Sequence, residues 1–368
     1  MDLTKYAKSE HKLEIKEVIH QCNALRRNNE NPLDISLAEF VQTKWGMSMD
    51  ALFDDLGLNA SIDTVSNIFT LPDESVRWLI PEIIRDALRL GLRKNPIWSE
   101  LIAAEQTIPN PSVTIPHLNM SEATPRYVGE AETISTGAIS FGQKTLKIRK
   151  MGRGIKIPYE VANYVTINIF GIFLQDFGVK LNHAIDALMI DVLINGEQAD
   201  GSESAPVIGI NGGPGTMAYI DLLRTWIRMA RVGRNPVHLL GGEDTAIATM
   251  NLDEFKTRQN TGPTFKTLDL RTPIPQSAGY FIHGSMPADQ QMIIDTSSAI
   301  IKYNAQPLLI EDDRIVSKQV LETYATLTTG FGIVYRDARI IIDQSLNFVG
   351  NGFPTYMDVD PLEQVVIE

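Results

Sequence analysis

One long amphipathic helix is the feature that most constrains the fold of this chain. Between residues 169 and 194, apolar side chains recur at steps of three and four, as one face of a helix requires: Phe170, Phe173, Leu174, Phe177, Leu181, Ala184, Leu188 and Val192. Polar side chains occupy the opposite face: Gln175, Asp176, Lys180, His183 and Asp191. Asn195-Gly196 is a typical helix stop. At 1.5 Å per residue this helix would be about 40 Å long, roughly the width of a domain.

The segment before this helix alternates between apolar and basic residues, as half-buried strands do. The alternation covers residues 145–150 and 154–157. Residues 131–141 are the predicted partner strand, with the chain reversal near residues 142–144. A two-stranded ribbon is marginal alone in water. We therefore expect its apolar face to be covered by the body of the protein or by a second copy.

Composition is that of an ordinary soluble globular protein. With 368 residues, 43% of them hydrophobic, the chain can bury a sizeable core over two or three domains. The 45 acidic and 33 basic residues give a net charge of −12, which argues against a protein that grips nucleic acid through its phosphates. The lone Cys22 and the absence of an apolar leader predict synthesis in a reducing cytoplasm. The apolar run 164–174 is too short to span a membrane.

Short helices are predicted before the alternating segment. Their patterns cover residues 11–27, 36–45 with Ser36 as the N-cap, and 48–57 with Ser48 as the N-cap. Residues 74–104 form a stronger helical region, which Asn95-Pro96 should break or kink. Residues 106–126 contain four prolines and predict an extended strap.

Helices and strands alternate after the long helix. Residues 217–232 predict a helix with an apolar face made of Tyr219, Leu222, Leu223, Trp226, Ile227 and Ala230. Near its C-terminal end, where the macrodipole favours cations, lie Arg224, Arg228, Arg231 and Arg234. A strand at 236–240, a helix at 243–255 and a strand at 280–283 follow. From residue 291, short β-branched runs predict a sheet beside the long helix.

This order of elements resembles the major capsid proteins of tailed double-stranded DNA phages with the Hong Kong 97-type fold. The resemblance is carried by the basic hairpin, by Pro-Tyr-Glu-Val-Ala at 158–162, by the long helix, and by Ile-Asn-Gly-Glu at 194–197 with Ala-Pro-Val-Ile-Gly-Ile at 205–210. It covers the chain from about Ile80 onward. It implies an α+β fold with an extended N-terminal arm, a protruding hairpin called the E-loop, a P-domain with a spine helix, and an A-domain.

The resemblance also implies a division of the chain. Residues 1–72 would be a helical N-terminal extension, which in the family can act as an internal scaffold called the delta domain and can be removed after assembly. Residues 73–125 would be a helix and the N-terminal arm, and residues 126–158 the E-loop. The P-domain would comprise 159–205 and 291–346, and the A-domain 206–290 and 347–368.

The function implied by the resemblance is structural and not enzymatic. Subunits would assemble into pentamers and hexamers of an icosahedral shell that encloses double-stranded DNA without sequence-specific contacts. The implied partners are other copies of the chain, a portal protein, and scaffolding or decoration proteins, with no membrane and no cofactor. The protein would be assembled in the host cytoplasm and reside in the virion.

The most basic stretch of the chain is the candidate inter-subunit surface: Lys144, Lys147, Arg149, Lys150 and Arg153. It is either a solvated strand face or a surface that contacts an acidic region of the adjacent subunit, where charge pairs set register more than affinity. One member of the family joins its subunits through a lysine–asparagine isopeptide bond. The resemblance extends this chemistry to Lys144 or Lys147, with Asn347 or Asn351 as the amide and Glu363 as the proton acceptor.

Other candidate sites favour plain structural interpretations. The glycine-rich residues 209–215 could bind phosphate at a helix start, but they lack the ending of a P-loop, so a turn is preferred. The acidic clusters, residues 311–313 and the group Asp358, Asp360 and Glu363, lack the spacing of a calcium loop and are interpreted as solvated turns. Six scattered histidines predict no metal site, and no nucleophile elbow is present.

Two alternative functions remain open at this point. An encapsulin-like nanocompartment would share the shell fold but load an enzyme cargo. A cytosolic α/β enzyme would use the glycine-rich residues 209–215 as its phosphate site.

Overall fold

The computed structural model describes residues 37–55, 58–59, 61–65, 79–108, 114–118, 139–146, 148–197, 203–213, 215–252, 279–348 and 353. Helices and strands are mixed, which confirms the predicted α+β class. The chain forms two compact units. The first comprises Met1–Pro96, Arg149–Ile185 and Asn304–Thr329, and the second comprises Ile97–Ile148, Asp186–Tyr303 and Gly330–Glu368.

Three helices open the first unit: α1 (Leu37–Trp45), α2 (Met49–Asp55) and α3 (Leu79–Leu92). The predicted N-cap of α2, Ser48, is confirmed. Its Oγ accepts a hydrogen bond of 3.2 Å from the N–H of Ala51. Helix α3 ends before Asn95-Pro96 as predicted, and Asn95 has a φ of 52°, which a helix cannot continue. The predicted helix at 11–27 lies outside the described residues.

The predicted long helix is present as α6 (Ile167–Asn195), with 29 residues. It follows the short helix α5 (Tyr159–Tyr164), and Gly196, with a φ of 72°, ends it as predicted. Phe170, Leu174 and Leu181 are buried, but the predicted apolar face is wrong at Phe173, which is 64% exposed, and at Ala184, which is also exposed. The buried face is instead turned toward Gly178.

Close contact between α3 and α6 explains this rotation. A Cβ atom on Gly178 would lie 2.5 Å from the carbonyl oxygen of Leu88, and one on Gly91 would lie 2.2 Å from the carbonyl oxygen of Gln175. The two backbones therefore touch, and only glycine fits at the crossing. The core around it includes residues of α1, α2, α3, α6 and two strands: Leu37, Val41, Leu52, Phe53, Ile84, Leu88, Phe170, Leu174, Ile310 and Ala325.

Four strands form a sheet in the order β1-β9-β10-β4. They are β1 (Ala104–Thr107), β4 (Arg149–Pro158), β9 (Ile300–Ile315) and β10 (Val320–Ile333). Strand β4 pairs with β10 in antiparallel register, from Val320 opposite Pro158 to Thr329 opposite Arg149. Residue 104 therefore opens a strand, although the sequence pattern placed it at the end of a helical region.

The predicted pairing of the basic hairpin is wrong. Residues 142–144 do not reverse the chain, because they lie inside the continuous strand β3 (Ile139–Thr145). Strand β3 pairs with β2 (Thr114–Leu118), which is part of the predicted extended strap. Strand β4 takes β10 as its partner instead, because Ile155 and Ile157 pack against the core of the first unit. Residues 126–138 lie outside the described residues.

The second unit contains a five-stranded sheet in the order β5-β11-β8-β6-β7. Its strands are β5 (Val207–Ile210), β6 (His238–Gly241), β7 (Gly279–Ile282), β8 (Gln290–Ile294) and β11 (Arg339–Asn347). Strands β5 and β11 run parallel, β8 runs antiparallel to β11 and β6, and β6 and β7 run parallel. The strands after residue 291 thus do not form one sheet, since β8 and β11 belong here and β9 and β10 belong to the four-stranded sheet.

Two helices accompany this sheet: α7 (Tyr219–Arg231) and α8 (Glu243–Met250). The apolar core contains Ile208, Leu222, Met229, Leu239, Ile293, Ile340 and Ile342. The predicted face of α7 is correct at Leu222 but wrong at Ile227, which is 63% exposed, because Thr225 and Met229 are buried instead. The short helix α4 (Trp98–Leu101) also belongs to this unit.

The C-terminal carbonyls of α6 are satisfied one by one within the second unit. The carbonyl of Val192 accepts the N–H of Gly196 at 2.8 Å, and that of Ile194 accepts the N–H of Ala205 at 2.8 Å. Between them, the carbonyl of Leu193 accepts a hydrogen bond of 2.6 Å from Nε of Arg339. Arg339 is fully buried and also donates to the carbonyl of Glu203. A buried guanidinium therefore satisfies a carbonyl at the end of the helix. Its positive charge also interacts favourably with the negative end of the helix dipole.

Candidate interaction surfaces

The basic surface predicted from the sequence is present in part. Arg149, Lys150 and Arg153 are exposed on β4, which is an edge strand of the four-stranded sheet. Exposed cations on an edge strand discourage nonspecific pairing with strands of other molecules. Lys144 lies in β3, a different strand with a different partner, and Lys147 lies outside the described residues.

A charged pair fixes the other end of β4. Lys156 Nζ lies 2.7 Å from Glu322 Oε1, and these residues are direct cross-strand partners. The hydroxyl of Tyr324 donates to the same carboxylate. The hydrogen bond from Lys156 lowers the pKa of Glu322, and the hydrogen bond from Tyr324 adds to this effect. The same hydrogen bond with Glu322 raises the pKa of Lys156.

Glycines on β4 make room for the side chains of β10. A Cβ atom on Gly154 would lie 2.5 Å from the ring of Tyr324, and one on Gly152 would lie 2.6 Å from a methyl carbon of Thr326. The ring of Tyr324 thus lies across the backbone of β4 and brings its hydroxyl to Glu322. This contact explains the glycines of β4.

An exposed apolar strip begins where β4 and α5 lead into α6. It consists of Tyr164 (85% exposed), Ile169, Ile172 (64% exposed) and Phe173, and these four residues are called the apolar strip below. Residues 169, 172 and 173 are neighbours on one helix face, since they are three and four positions apart. Together the four side chains expose on the order of 500 Å². The helical spacing of apolar residues assigned Phe173 to the core, so this surface was not predicted from the sequence.

The second unit also exposes apolar side chains on its helices. Ile220 and Ile227 are exposed on α7, and Ile247 and Met250 are exposed on α8. Each pair is separated by three or seven residues and therefore shares one side of its helix. Scattered single apolar residues are normal on a surface, whereas such clusters are typical of contact sites.

The arginines of α7 are used inside the chain. The guanidinium of Arg224 lies 4.1 Å from the ring centre of Phe348, and that of Arg228 lies 4.9 Å from the ring centre of Phe353. Burial lowers the pKa of Arg228, and the charge of Arg231 acts in the same direction. These contacts hold Phe348 and Phe353 against α7. The sequence predicted only an interaction of these cations with the helix dipole.

Arg234 makes a second internal contact, beyond the end of α7. Its Nε and Nη2 atoms donate to the two carboxylate oxygens of Asp337 at 3.0 and 2.8 Å. Its guanidinium also lies 4.2 Å from the ring centre of Tyr335. A bidentate pair of this kind is directional and stronger than a simple ion pair.

The described residues of the glycine-rich segment 209–215 form the end of a strand and a turn. Gly209 lies in β5, against the backbone of Asn347, and α7 begins only at Tyr219. The carboxylate of Asp221 accepts hydrogen bonds from the N–H groups of Asn211 at 3.0 Å and Ala218 at 3.1 Å. A buried carboxylate of the chain itself therefore occupies the anion position at this helix start. This agrees with the preferred interpretation as a turn.

The remaining candidates lie in strands or outside the described residues. Glu311 and Asp313 are exposed, but they lie in β9 and not in the predicted turn. Asn347 ends β11 and is exposed. Asn351, Asp358, Asp360 and Glu363 are outside the described residues, so the geometry of the predicted cross-link is not described.

A buried lysine of the second unit was missed by sequence reasoning. Lys302 Nζ lies 2.9 Å from Glu105 Oε1 and 3.4 Å from the ring centre of Trp98. Burial lowers the pKa of Lys302, and the hydrogen bond and charge of Glu105 oppose this effect. The pattern of β9 gave no signal for this site, because Lys302 stands in an ordinary alternating strand.

No protein-family model matches the chain, and no curated protein is similar to it in sequence. Similar solved structures come from virus-like particles, phages and related capsids. One is a virus-like particle from Pyrococcus furiosus, with 10% identity, a TM-score of 0.49, and coverage of 71% of this chain and 98% of the other. Another is the capsid of an empty GTA particle, with 13% identity, a TM-score of 0.49, and coverage of 68% and 90%.

A third similar structure is Gordonia phage Cozz, with 10% identity, a TM-score of 0.46, and coverage of 68% of this chain and 86% of the other. Identities this low assign no function to the chain. Among the described residues, no helix has the length and apolar character needed to cross a membrane.

Proposed function

We propose that this chain is a major capsid protein with the Hong Kong 97-type fold. The observation that carries the proposal is the uninterrupted succession of a basic edge strand, a short helix and a 29-residue helix from Arg149 to Asn195. This succession has the order that the family resemblance implies, and it continues into the α/β unit with the five-stranded sheet. The domain division given above, with its E-loop, P-domain and A-domain, is part of this proposal.

Self-association is supported by exposed apolar clusters on both units. The first unit exposes the apolar strip, and the second exposes side chains of α7 and α8. A subunit of a closed shell needs several different contact surfaces, because each copy has several neighbours. Permanent assemblies bury about 2,000–5,000 Å² per interface, so no single cluster of this size would suffice.

The basic edge of β4 is proposed to contact an acidic surface of a neighbouring subunit. A net charge of −12 leaves acidic regions for Arg149, Lys150 and Arg153 to face. Because β4 is an edge strand that pairs with β10 of its own chain on one side only, the proposed contact would use its other edge and its exposed cations. A cross-link from Lys144 or Lys147 to Asn347 or Asn351, with Glu363 as proton acceptor, remains a proposal within this contact.

The shell would enclose double-stranded DNA and would carry no catalytic residue for its assembly. An acidic wall repels the phosphates that it surrounds and does not bind them sequence-specifically. The proposed partners are other copies, a portal protein, and scaffolding or decoration proteins, and the proposed location is the virion after assembly in the host cytoplasm.

Electron microscopy of the expressed full chain tests this proposal. We expect closed particles of megadalton mass in negative stain and in sedimentation. Particles filled with a protein cargo and free of DNA after assembly in a host would indicate a nanocompartment instead. A monodisperse species of 40.9 kDa that binds nucleotides would contradict the shell function and favour the enzyme alternative.

A further inference from the structure

A methionine sulfur of the second unit lies inside a polar cluster. Met217 precedes α7 by two residues and is 9% exposed. Nε2 of Gln291, on β8, donates a hydrogen bond of 3.2 Å to Sδ of Met217. Nε2 of Gln344, on β11, donates to the same sulfur at 3.4 Å. Both glutamines are buried, so two desolvated amide groups converge on one thioether.

The amide of Gln291 is oriented by its other hydrogen bonds. Its Oε1 accepts from the hydroxyl of Thr249 at 3.0 Å and from the hydroxyl of Tyr280 at 3.3 Å. These two groups hold the amide oxygen on their side, which directs the amide nitrogen at Met217. The hydroxyl of Thr249 also lies 3.8 Å from Sδ of Met217. The sulfur is thus surrounded by hydrogen-bond donors.

A thioether is a poor partner for these donors. Sulfur accepts hydrogen bonds weakly, and buried amide groups cost free energy when they lack a good acceptor. Within the described ranges, Nε2 of Gln291 and Nε2 of Gln344 donate to this sulfur and not to an oxygen. Oxidation of methionine to its sulfoxide adds a polar oxygen to the sulfur. The cluster therefore suits the oxidised form of Met217 better than the reduced form.

A small oxidant can approach Met217 from the turn before α7. Gly215 and Thr216 are exposed, and the N–H of Gly215 donates to the carbonyl of Gln344 at 2.9 Å, so this turn lies against β11. Met217 is the most exposed of the buried methionines in the described ranges. The others are 0% exposed, or 5% in the case of Met286: Met189, Met229, Met286 and Met292.

We propose that Met217 is a site of oxidation by hydroperoxides and that Gln291 and Gln344 stabilise its sulfoxide. The sulfur gives an electron pair to one oxygen of hydrogen peroxide, the O–O bond breaks, and an S–O bond forms. The other oxygen leaves as water with both peroxide protons, so the sulfur is oxidised and the peroxide is reduced. The site does not depend on the proposed shell function, because it lies within one unit of a single chain.

Peptide mapping by mass spectrometry tests the modification in the native full chain. After brief treatment with dilute hydrogen peroxide, Met250, which is 52% exposed, should be oxidised first and Met217 next. The sulfoxide fraction of Met217 should exceed that of Met229 and Met292 at least about tenfold, because an oxidant reaches fully buried sulfurs only through local opening. Equal fractions at Met217, Met229 and Met292 would overturn the proposal, as would an unmodified Met217 beside a fully oxidised Met250.

Thermal unfolding tests the stabilisation by the two glutamines. Met217→Gln places an amide oxygen near the sulfur position without any oxidation. It should shift the thermal midpoint by less than about 2 °C, because the buried donors gain an oxygen acceptor. Met229→Gln is the matched control, since Met229 belongs to the same apolar core and is 0% exposed. It should lower the midpoint by at least about 5 °C. Equal losses in both variants would contradict the proposed role of the cluster.

A variant without one donor separates hydrogen bonding from mere tolerance of a polar group. In the Gln344→Leu background, peroxide oxidation of Met217 should lower the midpoint by at least about 3 °C relative to the same variant before oxidation. In the native background the same treatment should lower it by less than about 1 °C. Each comparison is made within one background, so the effect of Gln344→Leu itself cancels. Equal shifts in the two backgrounds would show that Gln344 does not stabilise the sulfoxide.

Discussion

The crossing of α3 and α6 can be tested with two glycines of the same helix. Gly171 and Gly178 both lie in α6, so alanine has the same intrinsic advantage at both positions, about 1 kcal/mol in a helix interior. A Cβ atom on Gly171 would have no neighbour within 4 Å, whereas one on Gly178 would lie 2.5 Å from the carbonyl oxygen of Leu88 and 3.0 Å from Cα of Gly91. The two substitutions therefore differ only in the space around the added methyl group.

We expect Gly171→Ala to raise the free energy of unfolding by about 0.5–1 kcal/mol, because helix propensity acts alone there. Gly178→Ala should lower it by about 1–3 kcal/mol, because α3 must move away from α6 to admit the methyl group. The predicted difference between the two variants is thus about 1.5–4 kcal/mol.

Urea unfolding of dispersed subunits, followed by circular dichroism, measures this difference. The midpoint should move in opposite directions for the two variants while the slope stays constant. Equal stability of both variants would refute the backbone contact at the crossing and with it the explanation for the exposure of Phe173.

Three further predictions concern other parts of the molecule. Arg339→Met should lower the free energy of unfolding by about 3–5 kcal/mol, because it leaves the carbonyls of Leu193 and Glu203 without their donor. Amide hydrogen exchange should become faster at the end of α6. The stability of Arg339→Lys should lie between that of Arg339→Met and that of the native chain. Burial disfavours the charged form of Asp295, but hydrogen bonds from Ser297, Ser298 and Asn235 outweigh it and keep its pKa lowered. The stabilisation by Asp295 should therefore be complete above its unfolded pKa of about 4 and be lost as the pH falls through the lower folded pKa, a dependence that thermal unfolding of Asp295→Asn should lack. Substitution of Arg149, Lys150 and Arg153 by Glu should leave the subunit folded but reduce the yield of particles measured by sedimentation. Substitution of the exposed Lys94 and Lys318 by Glu should leave that yield unchanged. An unchanged yield from the triple variant would show that β4 is not an assembly contact.

Local patterns predicted the helices well. The apolar period and Asn195-Gly196 gave the extent of α6, and Ser48 gave the start of α2, because these signals act within a few residues of chain. The face of α6 was less predictable. Phe173 was assigned to the core by its spacing, but the contact with α3 at Gly178 turns that position outward, and spacing carries no information about the neighbouring helix.

Strand partners were the main error, for a physical reason. Alternation shows that a strand has one covered face, but it does not identify the strand beside it. Strand β4 pairs with β10, which lies more than 150 residues away in sequence, while the nearby β3 pairs with β2. Likewise, nothing in the local sequence distinguished the fully buried Arg339 from an exposed arginine at the start of a strand. Of the candidate basic surface, the sequence located Arg149, Lys150 and Arg153 on one strand but also included Lys144, which the fold assigns elsewhere.

The carboxylate of Asp221 has a further consequence under the proposed function. Glycine-rich turns that lead into a helix normally attract polyanions, and a genome is the most concentrated polyanion that a virus particle contains. By placing its own negative charge at that position, the chain neutralises the attraction before any nucleic acid arrives. If the proposed function holds, this turn would offer a packaged genome no free anion site.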